Sequence, residues 1–251
     1  MSQTVFDLAR SLEGATPAQI RAEYKRQTAL GYRLFAAMRW GDMGDGHITA
    51  RDPERPDCFW LLRLGVPYNN ATVHDLLLVG PDGSLVEGDG IINPAAYHIH
   101  HPLLAARPDV VSAAHVHTPW GTPFSAEVRL VEPVTQESCY WFERHTIFDD
   151  EEVDILDVDG GKRIAAALGD LPAIVLRNHG LLTVGVEPAD AVGSFVHFER
   201  VAEANLKARD AKPISAEAAR HARRGLGDGT SGSYWFWWLV GRHIPDPTVV
   251  E

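Results

Sequence analysis

The chain reads as an α/β protein on three observations. Amphipathic stretches of helix length occupy residues 17–40, 94–106 and 188–211. Short apolar runs of strand length occupy residues 58–62, 75–79, 110–116, 173–176 and 181–184. The two kinds of segment alternate, and no internal repeat interrupts them, so strands and helices are expected to pack together over one core.

Each element has a local cause. Thr16-Pro17-Ala18-Gln19 opens the first helix: Thr16 caps, Pro17 suits the first turn, and Gln19 stands where a capping box requires it. Ile20, Tyr24, Leu34, Phe35 and Met38 give it an apolar stripe, with Arg21, Lys25, Arg26 and Arg33 expected outside. The segment Gly41-Asp42-Met43-Gly44-Asp45-Gly46-His47-Ile48-Thr49 then breaks periodicity. It lacks a calcium-loop pattern and reads as a loop beside a site, its glycines permitting close backbone approach.

Cys58 to Leu62 reads as a strand, and Asp75–Val79, Gly80-Pro81-Asp82-Gly83 and Ser84–Glu87 as a hairpin. A helix from Pro94 through Ala106 should stop before Arg107-Pro108-Asp109, because the residue preceding a proline avoids helical geometry. Its His98, His100 and His101 read as polar surface or interface, since only His98 and His101 share a face. A short helix from Pro119, a strand near Val128–Val134 and a helical stretch opening at Thr135-Gln136-Glu137 follow. Ala173–Leu176 and Leu181–Val184 read as strands joined by a turn at Arg177-Asn178-His179-Gly180. The last long helix starts at Pro188, and Gly225–Gly232 links it to Tyr234-Trp235-Phe236-Trp237-Trp238, expected to pack on the domain or a neighbouring subunit.

Composition narrows the function classes. With 45% hydrophobic residues among 251, a sizeable core is possible. The charge of -11, from 23 basic and 34 acidic residues, comes with no basic stripe. That argues against nucleic acid or an anionic membrane as partner and leaves a small molecule. Two isolated cysteines, Cys58 and Cys139, fit a reducing compartment rather than a disulfide framework. The N-terminus Met1–Asp7 lacks a basic-then-apolar leader and no run is long enough to span a bilayer, so a cytoplasmic location is expected.

One stretch carries chemistry. In Val110–Gly121, His115 and His117 are one residue apart at the end of an apolar run, and a strand sends alternate side chains to one face. Two imidazoles on one face have metal-ligand spacing, with a third ligand needed from elsewhere. Surface strands and satisfied core positions also contain His-x-His, so the pattern alone leaves both readings open.

Asn93-Pro94-Ala95-Ala96, the Arg107-Pro108-Asp109 exit, His115-Val116-His117-Thr118, Thr135-Gln136-Glu137 and Arg177–Gly185 resemble the class II aldolase/adducin family in order and spacing, over roughly residues 17–210. The resemblance implies a three-layer α/β/α fold around a mainly antiparallel central sheet. It implies a family-like domain over residues 16–212, an extension at 1–15 and the aromatic tail at 213–251. It also implies a homo-oligomer, a tetramer, with sites at subunit interfaces.

Carried over by motif, the resemblance makes His115, His117 and His179 the ligands of a divalent metal ion, zinc first, with manganese or iron as alternatives. It implies a lyase of aldolase type working through a metal-stabilised enediolate. Glu137 is a proton-handling candidate through a segment with a one-residue gap, and otherwise a glutamate in a helix's first turn. Where sugar-phosphate relatives carry two serines and a carboxylate, this chain has Pro94-Ala95-Ala96-Tyr97. The lost hydroxyls would each be worth ~1.5–3 kcal/mol to a charged group, which points to a non-phosphorylated hydroxy or keto compound. Tyr97 is a candidate proton donor, or a packing residue. The Pro-Ala-Ala variant also resembles decarboxylating oxygenases that hold Fe(II) on the same histidines and act on aromatic 2-oxo or hydroxy acids. A non-catalytic, adducin-like interaction module is the third reading.

Overall fold

The computed structural model describes residues 4–208, 210–227 and 231–251. Expectations for Met1–Gln3, and for the part of the Gly225–Gly232 link at residues 228–230, lie outside the described residues.

Eight strands form one sheet in the order β4-β3-β2-β1-β5-β8-β7-β6. They span Gly46–Arg51 (β1), Phe59–Leu62 (β2), Leu76–Val79 (β3), Leu85–Glu87 (β4), Ser112–Val116 (β5), His145–Phe148 (β6), Ala173–Leu176 (β7) and Gly180–Gly185 (β8). Every neighbouring pair is antiparallel except β6–β7. Helices α1 (Pro17–Ala37), α3 (Gly121–Ser125), α5 (Pro188–Lys207) and α7 (Ser231–His243) build the core on one face, and α2 (Pro94–Ala106) and α4 (Val158–Leu168) build it on the other. A further helix, α6, spans Ala216–Leu226. The strand period sorts the two cores: Trp60 and Leu62 of β2 enter the first, Phe59 and Leu61 the second. This is the expected three-layer α/β/α arrangement.

Helix α1 begins as its sequence requires, with both bonds of the Thr16–Gln19 capping box present. Its charged face departs from expectation, because Arg26 is buried. The Val5–Leu8 turn and the C-terminal segment cover that face: Arg26 donates to Glu23 Oε1 at 2.8 Å and to the Leu8 carbonyl at 3.1 Å, and lies over the Trp237 ring.

The glycine-rich loop ends earlier than its composition suggests. His47, Ile48 and Thr49 are strand, and Gly46 is a close-packing residue: a Cβ there would stand 2.6 Å from Val116 Cα and 2.7 Å from the His115 carbonyl.

Residues 128–134 form no strand. Side chains satisfy that backbone instead: Asn205 Oδ1 accepts from Glu132 N at 2.8 Å, and His145 Nε2 accepts from Val131 N at 3.0 Å. Elements with faint signals also appear. Gly160 and Gly161 weaken the helical pattern of α4, yet a Cβ on Gly161 would stand 1.9 Å from the His98 carbonyl, so glycine lets α4 cross α2 closely.

Candidate metal centre

The site forms where two chain reversals meet at one end of the sheet. Strand β5 carries His115 in its buried register opposite His47 of β1 and Leu182 of β8, and the chain leaves the sheet at His117. The turn between β7 and β8 presents His179. Asn178 holds the left-handed conformation there (φ 55°), which asparagine tolerates, and His179 N donates to the Leu176 carbonyl at 3.0 Å. Gly180 leaves room beside His115, since a Cβ would meet His115 Cε1 at 3.4 Å.

His115, His117 and His179 therefore converge. Each offers a ring nitrogen within 4.8 Å of the others, with ring centroids 4.8, 5.0 and 5.3 Å apart and planes nearly perpendicular. His115 Nδ1 lies 2.7 Å from the Leu181 carbonyl, and a carbonyl only accepts, so Nδ1 carries the proton and Nε2 keeps its lone pair. Burial, and next the neighbouring histidines, hold His115 well below the ordinary imidazole range; burial beside His117 takes His179 down to about 4. Three imidazoles, with His115 Nε2 keeping its lone pair, make a donor set that a divalent ion takes, so these residues fit one.

Four neighbouring residues shape the site without having stood out as its members in the sequence. Asp45 accepts the His117 N–H on its carbonyl at 2.9 Å and brings its carboxylate to 3.8 Å from His117 Nδ1. Glu199 of α5, buried, accepts from Thr118 Oγ1 (2.6 Å), Trp120 N (3.0 Å) and Gly121 N (2.6 Å), which ties down the loop immediately after His117. Behind His115, His47 Nδ1 is 2.8 Å from His100 Nε2, whose Nδ1 is 2.8 Å from Thr49 Oγ1. His100 is thus core rather than surface or interface. A histidine on an amphipathic helix gives no signal of the strand residue that will face it, and Glu199 lies 82 positions from His117.

The two proton-handling candidates are not brought to the trio within this chain. Glu137 opens a short 3-10 turn, is half-buried, and pairs with Arg200 at 3.1 Å. The Tyr97 hydroxyl donates to the Pro81 carbonyl at 3.0 Å, and its ring stacks on His101. Pro81 follows the Val79 end of β3, whereas Leu76 of β3 pairs with Leu62 at the sheet end where β1 begins and β5 terminates. Tyr97 is therefore held toward the far end.

Two cavities share the rim Gly41–Met43. One, of about 410 Å³, contains Asp45, His117 and Thr118; the other, of about 690 Å³, contains His47, Arg63, Tyr68 and Asn93.

Against known proteins, residues 26–206 match the family model described as class II aldolase and adducin N-terminal domain. The chain belongs to the class II aldolase/adducin family. Within it, the chain is 40% identical over 221 residues to a 4-hydroxy-3-prenylphenylpyruvate oxygenase/4-hydroxy-3-prenylbenzoate synthase of Streptomyces roseochromogenus subsp. oscitans, covering 84% of this chain and 78% of the relative. It is equally similar, at 40%, to Decarboxylase NovR of Streptomyces niveus, over 84% of this chain and 80% of that one. The solved L-fuculose 1-phosphate aldolase from Glaciozyma antarctica PI12 superimposes with a TM-score of 0.79 at 31% identity, covering 91% and 94% of the two chains. Among the described residues no helix is long and apolar enough to cross a membrane.

Proposed function

We propose that this class II aldolase/adducin family member is a metal-dependent enzyme that cleaves a carbon–carbon bond of a small, non-phosphorylated aromatic 2-oxo or 2-hydroxy acid. The reaction favoured is decarboxylation with dioxygen as co-substrate. The observation that carries the reading is the convergence of His115, His117 and His179, with His117 lining a cavity that shares its Gly41–Met43 rim with a larger one. A bound ion would supply Lewis acidity and, as iron, a redox centre.

This chain's own residues do the rest. The three imidazoles hold the ion; Glu199 and Asp45 fix the segment on either side of His117; buried His47 and His100 keep water from the back of His115. At the start of α2, Asn93 Oδ1 accepts from Ala95 N and Ala96 N, so these amides are occupied and no hydroxyls stand beside them, which supports a substrate without a phosphate. The two Streptomyces relatives, named as an oxygenase and a decarboxylase, support acid chemistry over sugar-phosphate cleavage. Assembly into a homo-oligomer, with Glu137 and Tyr97 in structural roles inside each chain, completes the proposal.

An oxygen electrode tests it. Reconstituted with Fe(II) and given phenylpyruvate or its 4-hydroxy derivative, the protein should consume oxygen and release carbon dioxide in step. Bond cleavage without oxygen uptake would support the aldolase-type reading suggested by the fuculose-phosphate aldolase neighbour instead.

A further inference from the structure

The larger cavity contains one strong cation whose bonding is incomplete. Arg63 follows β2 directly, and its position is fixed on three sides. Its N–H donates to the Asp75 carbonyl at 3.0 Å, and its Nη2 donates to Asp75 Oδ1 at 2.7 Å. Its aliphatic stem lies against Gly90, where a Cβ would come within 3.0 Å of Arg63 Cβ. Gly90 has φ 147°, so the 88–91 loop can close on the stem only with glycine there. Yet Arg63 Nε is buried and has no hydrogen-bond partner. A guanidinium carries five donors, and an unpaired buried N–H in a native protein calls for an explanation.

A buried Nε is closed to a ligand; the outer fork of this side chain, which is 43% exposed, is open to one. The cavity wall is mixed: Leu62, Leu64, Val66, Pro67 and Tyr68 make an apolar part beside Arg63, and Asp42, Asn69 and Asn93 a polar part. His47 on the same wall has its ring centroid 5.1 Å from that of His115. The cavity thus has a planar cation, an apolar part beside it and, through His47, a border on His115. A compound with a carboxylate next to the reacting carbon and an aryl group beyond it matches all three.

Resting on the function proposed above, we infer that Arg63 is the substrate-anchoring residue, its guanidinium receiving the carboxylate of the 2-oxo or 2-hydroxy acid while the apolar wall receives the aryl group. Asp75 is the positioning residue that holds the fork. Phosphate recognition through hydroxyls beside the start of α2 is thereby replaced by carboxylate recognition from the end of β2. The planar fork sets the preference, because a guanidinium pairs with a carboxylate through two parallel bonds and an ammonium does not.

Equilibrium binding separates this inference from the activity. Calorimetric titration of the metal-loaded chain with phenylpyruvate, and with its methyl ester, is compared among the native protein, R63K and R63M, each checked for an unchanged thermal midpoint. The expected result is a loss of roughly 10- to 150-fold in phenylpyruvate affinity for R63M, a smaller loss for R63K, and unchanged ester binding throughout. D75N, which leaves Arg63 in place, should show a partial loss and covers the case in which R63M fails to fold. Native-like phenylpyruvate binding by R63M or R63K would overturn the role of Arg63 and leave the acid-substrate reading standing. Failure of the native protein to bind phenylpyruvate at all would overturn both.

Discussion

His115, His117 and His179 at one end of the sheet, and His145 and His197 beside Trp141, share buried or half-buried surroundings and differ in what their ring nitrogens touch. Burial takes His179 and His145 each down to about 4, and His197, beside Arg200, to about 3. In the second group, however, the ring nitrogens are engaged. His145 Nδ1 donates to the Trp141 carbonyl at 2.8 Å while Nε2 accepts from Val131 N. His197 Nδ1 accepts from Trp141 Nε1 at 2.9 Å, and its ring stacks on Trp235 at 3.8 Å. In the trio, one ring nitrogen of each histidine lies within 4.8 Å of the others. Depressed basicity does not separate a site from packing here; lone pairs without a protein partner do.

The sharpest break of this comparison is a pair of substitutions. His117→Ala should reduce turnover by at least about 10³-fold, since the ion loses a ligand and its orientation. His197→Ala should retain turnover within twofold and lower stability by about 2 kcal/mol, through the lost stack and the unpaired Trp141 indole N–H. Steady-state kinetics with chemical denaturation reads both, and equal losses of activity would erase the distinction.

Glu199→Gln comes next. An amide keeps the volume but turns a donor toward Thr118, Trp120 or Gly121, so the loop after His117 loosens. Metal affinity should fall about 10- to 100-fold, measured by competition with a chelator. An unchanged dissociation constant would remove Glu199 from the metal centre.

On the packing side, the titration signal belongs to stability. Burial at the α5–α7 contact raises the Asp190 carboxyl to about 7, against an unfolded value near 3.9. Between those values the folded chain holds a proton that the unfolded chain has lost. Stability should therefore fall as pH rises from about 4 to about 7, by up to ~1.4 kcal/mol per unit, and level off above. Asp190→Asn should flatten that slope without altering metal content. Denaturation midpoints across pH show whether it does.

The smallest effects concern the two acid–base candidates. Tyr97→Phe should cost about 1 kcal/mol for the bond to Pro81, and Glu137→Gln less than about 0.5 kcal/mol for an exposed ion pair, with turnover within twofold in each. A hundredfold loss of turnover in either variant would mean that a neighbouring copy brings that residue to the trio.

The helix start at Thr16–Gln19 was fully legible, because its capping box is written within four residues, whereas the Asn93 cap of α2 showed only in the structure. The trio was legible only through the family resemblance, because His-x-His by itself leaves packing and metal binding both open. Arg26 was misjudged because a helix face looks solvated until a remote segment covers it. His47, His100, Asp45 and Glu199 escaped because each becomes meaningful only through a partner on another element. Residues 128–134 have apolar residues of strand type, but Val128 takes a left-handed turn (φ 50°) and the backbone bonds of the segment go to Asn205, His145 and local turns rather than to a ladder.

The account stands on the claim that three histidines hold one ion. Elemental analysis of the dialysed protein, after reconstitution with iron, zinc or manganese, tests it most directly. One equivalent of metal per chain, lost in His179→Ala and retained in His197→Ala, is the predicted result. A native protein that retains no metal under any of these conditions, or a His179→Ala variant that retains a full equivalent, would contradict it.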